Sequence, residues 1–237
     1  MGIDIQSLKL LRIAHDNFGD FKETLTIGRQ GNHSPKWAIQ SLLNAKNYKP
    51  DKDVNYMDTS EFSDSLFSEY LGSSIVDSLD ASSYENANII HDLNLPIDET
   101  VISKKYDTIF DGGTLEHVYN IPQAFFNLSK LCKVGGQILH VLPANNQCGH
   151  GFWQMSPDLF FSLYSEKNGY KDTEVFLGDT TNPSWTYKIS PPERGQRHDI
   201  QHPNPMYCMV RTVLARSDFN HSKIQQNDYV EQWSKSE

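Results

Sequence analysis

Cysteine, long apolar runs and positive charge are scarce in this sequence. The cysteines Cys132, Cys148 and Cys208 are odd in number and widely spaced, which predicts free thiols in a reducing compartment rather than a disulfide framework. The first residues contain no apolar core of a signal peptide, and no apolar run reaches the roughly 20 residues that a membrane span needs. We therefore expect a cytoplasmic chain with no membrane partner.

The shortage of positive charge bears on the partners. The 237 residues include 30 Asp and Glu against 21 Lys and Arg, and the net charge is -9 at pH 7. Binding to nucleic-acid backbones depends on clustered Lys and Arg, so no nucleic-acid partner is expected. With 38% hydrophobic and 22% charged residues, the composition is that of a globular protein, and we expect a monomer or a homodimer.

The stretch Tyr106–Pro143 has the pattern strand, acidic turn, helix, glycine turn, strand. The apolar run Thr108–Phe110 ends at Asp111-Gly112-Gly113, which indicates a strand followed by a turn. Apolar residues recur at helical spacing over 121–131, and Gln137–Leu142 is typical of a second strand. Such a βαβ unit has parallel strands and a right-handed connection. Ligands of open parallel sheets bind beyond the carboxyl ends of the strands, where the acidic turn lies.

A second glycine turn lies near the N-terminus. Thr24–Ile27 is a strand candidate, and Gly28-Arg29-Gln30-Gly31-Asn32 follows it. Ser34-Pro35 is typical of a helix start, with Ser34 as the N-cap. A strand, a glycine-containing turn and a helix N-terminus together hold a ligand against exposed backbone N–H groups.

The remaining elements follow from the same patterns. The sequence predicts a short helix at Ile5–His15, a polar loop at Lys46–Asp58, a helix at Glu61–Leu71, and strands at Ser74–Leu79, Ile89–Ile90, Thr173–Leu177 and Met206–Ala215. Residues 178–205 are rich in Pro, Gly, Asn and charge, which predicts a lid or an insertion. Candidates for contact with an anionic substrate in this loop are Arg194, Arg197, His198 and His202, although exposed loops commonly carry such residues.

The chain resembles class I S-adenosylmethionine-dependent methyltransferases over roughly Thr24–Ala215. YDTIFDGGTLEHV is similar to that family's fourth motif, and LCKVGGQILHVLP is similar to its "LKPGG" helix–turn–strand. The resemblance implies an α/β fold, a three-layer Rossmann-like sandwich whose seven-stranded, mostly parallel sheet has a reversed last strand. It also implies S-adenosylmethionine as the cofactor. We expect one methyltransferase-like domain over 1–216, with a helical extension at 1–22 and a tail at 217–237.

The resemblance also implies a cofactor site. Asp80 stands where the family's second strand ends in an acid that holds the ribose, and a carboxylate can accept hydrogen bonds from two vicinal hydroxyls. Asp92 stands where many members contact the adenine amino group. The implied cofactor-binding residues are Gly28, Arg29, Gly31, Asp80, Ala81, Asp92, Leu93, Asp111, Gly112, Gly113 and Glu116. Turn and capping roles remain the alternative for the glycines and for Asp80.

Residues 145–154 combine amides, a histidine and aromatic residues directly after a strand end, as in a substrate-orienting loop. The predicted substrate-binding residues are Asn145, Asn146, His150, Phe152, Trp153 and Gln154. An alcohol is a weak nucleophile at neutral pH and needs a base, for which His150 and His117 are the catalytic candidates. The alternative is a structural loop that satisfies its own polar groups and packs its aromatic rings into the core.

A metal is a further alternative. Glu116, His117 and His150 distantly resemble the Glu/His metal set of small-RNA 3′-terminal methyltransferases. Their spacing does not match a compact ligand motif, so we predict no metal.

The predicted function is methyl transfer from S-adenosylmethionine to a polar small molecule or saccharide, at a hydroxyl with a histidine as general base. The sequence does not separate this from transfer to an amine. Thr26 stands in place of the acid that usually precedes the family's first glycine motif, so a non-catalytic binding or scaffolding module remains the alternative. The two hypotheses differ in whether Arg29 and Gln30 fill the space beside Asp80. A dinucleotide-dependent reductase is a distant third, because a GxGxxG fingerprint is absent.

Overall fold

The computed structural model describes residues 2–44, 62–98 and 103–234, which form an eight-stranded sheet between two layers of helices. The strands are β1 (Gly2–Ile3), β2 (Lys22–Ile27), β3 (Gly31–Asn32), β4 (Ser73–Asp80), β5 (Ile89–Ile90), β6 (Tyr106–Asp111), β7 (Cys132–Pro143), β8 (Tyr170–Asp179), β9 (Thr186–Ile189) and β10 (Met206–Leu214). The helices are α1 (Ile5–Phe18), α2 (Lys36–Leu42), α3 (Asp64–Tyr70), α4 (Ile121–Leu131), α5 (Pro157–Leu163) and α6 (Asn227–Ser234), with short 3-10 turns at Leu115–His117 and Glu166–Asn168.

The strand order in the sheet is β5-β4-β2-β6-β7-β10-β8-β9, and β1 pairs separately with β3. Strands β5, β4, β2, β6 and β7 are parallel to one another, whereas β10 is antiparallel to both β7 and β8. The α/β fold with a mostly parallel sheet and a reversed last strand is therefore confirmed. The sheet has eight strands rather than seven because β9, inside the predicted loop 178–205, adds to its edge.

The chain changes direction across the sheet next to β2. It passes from β2 to β4 and β5 on one side, and then returns to β6 on the other side of β2. Ile27 at the end of β2 is in register with Asp111 at the end of β6. Ligands of open α/β sheets bind at such a switch point, so the turns after β2 and β6 define the place to look for a site.

Alternating side chains of the strands divide the core between the two faces. In β6, Ile109 packs with residues of α4 and α5, whereas the next residue, Phe110, packs with α1, α2 and α3. The buried face of α4 includes Ile121, Phe125 and Leu128, which confirms the periodicity read from the sequence. The site-bearing turns are thus mounted on strands that are covered on both faces.

The N-terminal residues alter one predicted helix start. Ser34 was predicted to cap α2, but its hydroxyl donates to Ile3 O at 2.8 Å, and Pro35 precedes the helix without a side-chain cap. The prediction is wrong because the pairing of β1 with β3 draws Ser34 towards the N-terminal strand. Asp4 does cap α1, because its carboxylate accepts from Ser7 N at 2.9 Å. The predicted loop Lys46–Asp58 lies outside the described residues.

The described part of the predicted tail contacts the domain. The ring of Phe219 lies 5.2 Å from that of Phe126 on α4. His221 Nε2 lies 2.7 Å from the hydroxyl of Tyr170, and burial lowers the pKa of His221 to about 4. Among the helices of the described ranges, none combines the length and apolarity needed to cross a bilayer.

Candidate functional site

The turn after β2 carries a glycine and a partly exposed cation. Gly28 has a φ of +69°, a left-handed conformation that favours glycine. The Arg29 guanidinium donates to the Asp64 carboxylate at 2.7 Å and lies 4.0 Å over the ring of Phe62. It also donates to Glu85 O, in the loop after β4, at 3.1 Å. The Asp64 carboxylate of α3 thereby neutralises the charge of Arg29, and the bond to Glu85 O connects the turn to the loop after β4.

The turns after β2 and β6 meet at Gln30 and Gly112. Gln30 is buried, and its Nε2 donates to Ile27 O at 2.7 Å. A Cβ added to Gly112 would lie 2.5 Å from Gln30 Oε1, so a side chain at position 112 would collide with this amide. Within the part of the chain that the structure describes, Gln30 Oε1 has no hydrogen-bond partner. The contact therefore leaves one buried acceptor oxygen unused beside a glycine.

The two acids that the resemblance implies for the adenosyl group lie beyond β4 and β5. Asp80 ends β4, is partly exposed, and accepts from Ser82 N at 3.3 Å. Asp92 is exposed and accepts from Asn94 N at 2.9 Å, a bond that lowers the pKa of Asp92. Both carboxylates stabilise the turn that follows them and remain accessible to solvent.

The other implied cofactor residues differ in exposure and in their distance along the chain from the β6 turn. Gly31 pairs with Gly2 between β3 and β1. Ala81 is exposed, whereas Leu93 is buried in the core. Gly113 has a φ of +92° and lies next to Gly112 in the turn after β6. The structure thus brings the glycines of the β6 turn to the site and keeps Leu93 within the packing.

Asp111 belongs to a buried polar chain that the sequence did not reveal. Its Oδ2 lies 2.9 Å from Nδ1 of His140, whose Nε2 lies 2.7 Å from the hydroxyl of Tyr164, and all three side chains are buried. Its Oδ1 accepts from Thr114 N at 3.0 Å and Leu115 N at 3.3 Å. Asp111 therefore fixes the start of the 3-10 turn that carries Glu116 and leaves neither carboxylate oxygen free of protein contacts.

Glu116, His117 and His150 converge beside this turn. Glu116 Oε1 lies 3.2 Å from His150 Nε2 and 3.7 Å from His117 Nε2. The Glu116 side chain is 1% exposed, against 47% for His117 and 53% for His150. Burial and the Asp111 carboxylate raise the pKa of Glu116 to about 8, and burial and His150 lower the pKa of His117. A buried carboxyl with so high a pKa beside two imidazoles marks a candidate site.

The loop after β7 is fastened to Glu116. Phe152 N donates to Glu116 O at 2.7 Å, and Trp153 Nε1 donates to Val118 O at 2.9 Å. A Cβ added to Gly151 would lie 2.7 Å from Glu116 Cγ, and Gly151 has a φ of +71°. These contacts hold His150 against Glu116.

The amides of this loop make hydrogen bonds within the protein. Asn145 Nδ2 and Asn146 Nδ2 donate to His202 O at 2.9 and 2.8 Å. Gln154 Oε1 accepts from Gln147 N at 3.3 Å. The loop after β7 is thus connected to residues that precede β10, and its amides have the structural partners that the alternative interpretation requires.

The side chains of three of the four loop candidates in 178–205 contact residues outside this cluster. His202 Nε2 lies 2.8 Å from the buried Asp179, and His198 Nε2 lies 2.8 Å from Ser190 O. Arg197 lies 3.8 Å from Asp228 near α6. These contacts fasten the loop to its surroundings.

A cavity of about 240 Å³ opens between the turn after β6, the N-terminal strand and His150. Its lining includes Gly2, Asp4, Ser7, His33, Gly112, Gly113, Glu116, Val141, His150 and Tyr207. Tyr119 and Phe152 are 75% and 70% exposed and meet edge to face beside the loop that carries His150. Pockets that enclose a whole ligand usually measure roughly 300–1,000 Å³. This cavity is smaller, so it suits only the reacting end of a ligand.

Comparisons with known proteins give distant similarities. No family model matches the chain, and no curated protein matches it. Among solved structures it is similar to TehB from Haemophilus influenzae, with a TM-score of 0.44 and 14% identity over 86% of this chain and 60% of that chain. It is similar to the N-methyltransferase NodS from Bradyrhizobium japonicum WM9, with a TM-score of 0.43 and 12% identity over 87% of this chain and 93% of that chain.

The trans-methyltransferase CalH, in complex with SAH, has a TM-score of 0.46 and 10% identity over 89% of this chain and 57% of that chain. The chain therefore spans about 60% of the length of TehB and 57% of that of CalH. Similarities this distant do not carry an argument about chemistry. The function has to be argued from the site.

Proposed function

We propose that this chain is an S-adenosylmethionine-dependent methyltransferase that acts on a hydroxyl of a polar small molecule or saccharide. One observation carries the proposal: a buried carboxyl and two imidazoles converge beside a glycine turn at the switch point of the sheet. A single domain over residues 1–216 supplies all of these groups. Transfer to an amine needs less proton removal and is the second acceptor class.

The residues around the β2 and β6 turns fit the cofactor. S-adenosylmethionine supplies, when bound, a methyl group activated by a positively charged sulfur. Gln30 Oε1 is a buried acceptor with no partner among the described residues, and the ammonium and hydroxyls of the cofactor are donors. Asp80 offers a partly exposed carboxylate for the ribose hydroxyls. Arg29 is paired with Asp64, so its charge does not oppose a cationic ligand.

The residues around the cavity perform the acceptor's part of the reaction. His150 removes the proton of the hydroxyl, and Glu116, 3.2 Å from its Nε2, orients the imidazole. His117 occupies a similar position 3.7 Å from the same oxygen and is the second candidate base. Tyr119 and Phe152 present exposed rings on which the C–H face of a sugar, or a flat polar acceptor, can stack. Asp111 acts as a positioning residue, because it holds the turn that carries Glu116.

One observation favours a non-catalytic module instead. Gln30 is buried against Gly112, so its Oε1 meets a ligand only if this contact opens. The binding experiment below separates the two functions.

The proposal is tested by calorimetric titration of the purified chain with S-adenosylmethionine and S-adenosylhomocysteine. We expect one site per chain with a Kd in the micromolar range, and a Gln30→Ala variant that keeps its fold but binds about tenfold more weakly, since about 1.4 kcal/mol corresponds to one lost hydrogen bond. If neither ligand produces heat or a shift in Tm at millimolar concentration, the chain is a binding module of another kind.

A further inference from the structure

We propose that Glu116, His117 and His150 form a binding site for a divalent metal ion such as Zn²⁺ or Co²⁺. One carboxylate oxygen and two imidazole nitrogens are the donors. The prediction from sequence was that no metal binds, because these residues are not closely spaced along the chain. The fold removes that objection by placing the loop after β7 against the turn after β6.

The distances between the donor atoms match a tetrahedral centre. With metal–ligand bonds of about 2.0–2.1 Å, two ligands of a tetrahedral ion are separated by about 3.3 Å. Glu116 Oε1 lies 3.2 Å from His150 Nε2 and 3.7 Å from His117 Nε2. One donor atom of each residue can be chosen so that all three lie within 4.8 Å of one another. The two imidazoles are 47% and 53% exposed, which leaves them room to turn towards bonding geometry.

One oxygen of the buried carboxyl lacks a partner among the residues that the structure describes. Glu116 is fully buried, and its Oε2 has no hydrogen-bond partner in the described ranges. A buried carboxylate with an unpartnered oxygen is costly, and a bound cation would offset that cost. His150 alone satisfies Oε1 and does not explain why Nε2 of His117 lies 3.7 Å from the same oxygen. A cation accounts for the approach of both imidazoles to one buried carboxyl.

The donor set indicates both the kind of ion and the kind of site. Two imidazoles with one carboxylate suit Zn²⁺, Co²⁺ or Fe²⁺, whereas Mg²⁺ and Ca²⁺ prefer oxygen donors alone. The described residues supply three ligands in this cluster, and Glu116 and His150 also line the cavity. Three protein ligands with one open position are the pattern of catalytic zinc, and structural zinc has four protein ligands.

The chemical role of the ion rests on the proposed function. With a cation on Nε2, the neutral imidazole of His150 carries its proton on Nδ1 and has no free nitrogen left to accept another. The cation then favours loss of the acceptor's hydroxyl proton to solvent, a task otherwise assigned to His150. The net reaction is unchanged: the methyl–sulfur bond breaks, the methyl–oxygen bond forms, and one proton is released. His117 thereby becomes as necessary as His150, which a simple base mechanism does not require.

The test is a titration of the full chain, stripped of metal with a chelator, with Co²⁺ and with Zn²⁺ in the absence of S-adenosylmethionine. Visible absorption of tetrahedral Co²⁺ and calorimetry with Zn²⁺ report the site directly. We expect one ion per chain, displacement of Co²⁺ by Zn²⁺, and at least tenfold weaker binding in both His117→Ala and His150→Ala. The matched control His91→Ala, outside the cluster, is expected to bind like the unchanged chain.

His117 and His150 are exposed, so replacing them is expected to leave the fold intact, and circular dichroism checks this for each variant. Glu116 is buried, so Glu116→Gln can affect folding and is used only as a supplementary variant. No stoichiometric binding below about 100 µM, or binding that survives loss of both His117 and His150, overturns the proposal. Titration of the metal-free chain with S-adenosylhomocysteine tests the cofactor separately, so failure of the metal site and failure of the methyltransferase function give different results.

Discussion

Replacement of Gly151 by alanine tests the contact that joins the loop after β7 to Glu116. Gly151 has a φ of +71°, where side chains other than glycine are strained, and a Cβ there would lie 2.7 Å from Glu116 Cγ and 2.8 Å from Glu116 O. A Cβ added to Gly149, two residues earlier, would meet no atom within 4 Å, and the φ of Gly149 is not left-handed. The two glycines thus form a matched pair in one loop.

The expected cost follows from two contributions. Placing alanine in the left-handed region costs about 1 kcal/mol. Relief of the collision with the Glu116 backbone requires the loop to move, which breaks the 2.7 Å hydrogen bond from Phe152 N to Glu116 O at a cost of about 1 kcal/mol. We therefore expect Gly151→Ala to lower the free energy of unfolding by about 2 kcal/mol, or to release the loop locally at similar cost. Gly149→Ala is expected to change it by less than about 0.5 kcal/mol.

Urea denaturation at 25 °C measures the global cost, and amide hydrogen exchange of Phe152 and Trp153 detects local release of the loop. A large effect at Gly151 with little at Gly149 supports the packing described here. Equal effects of the two substitutions on both measurements, or no effect of either, would refute the reasoning, because the loop would then not be clamped on Glu116.

Three further predictions concern the core, the tail and the cofactor. Tyr164→Phe removes the hydroxyl 2.7 Å from His140 Nε2 and leaves a buried imidazole nitrogen without that partner, so we expect a loss of about 1–3 kcal/mol in urea denaturation, and no loss would contradict the buried chain. Burial lowers the pKa of His221 from 6.5 to about 4, so between these values the unfolded chain binds a proton that the folded chain does not, and the free energy of unfolding falls as pH decreases through that window. In a His221→Gln variant the free energy of unfolding should decrease less steeply between pH 7 and 4.5. An identical slope in the two proteins would contradict the burial of a neutral His221. Asp80→Asn should weaken S-adenosylhomocysteine binding about tenfold in calorimetry through loss of a charged acceptor, whereas unchanged affinity would place the ribose elsewhere.

Local patterns predicted the strand, helix and strand of the central βαβ unit, although β7 begins at Cys132 and includes the two glycines that were expected to form a turn. The apolar positions of α4 recur with helical spacing, and the acid and glycines after Phe110 end β6, because both signals lie within a few neighbouring residues. The sequence did not predict β9, because Thr186–Ile189 is partly exposed and, within the described ranges, pairs with β8 alone at the edge of the sheet. Edge strands of this kind carry little periodicity of their own.

The interior of the site was not predictable from local patterns, because it is formed by contacts between residues that are distant in sequence. His140 lies within the apolar strand β7, 29 positions from Asp111, and no local pattern shows that the two side chains meet. From the sequence alone, Gln30 matters only for whether it fills the space beside Asp80, whereas the fold places its unpartnered buried oxygen against Gly112. The cluster of Glu116 with two histidines likewise depends on how the loop after β7 folds back.

The most direct test of the proposed function is a crystal structure of the chain with S-adenosylhomocysteine at millimolar concentration. We expect the ligand at the carboxyl ends of β2 and β4, with its ribose at Asp80 and a donor group at Gln30 Oε1 beside Gly112. A structure in which Gln30 and Arg29 keep the turn closed, with no ligand at these strand ends, would contradict the proposal.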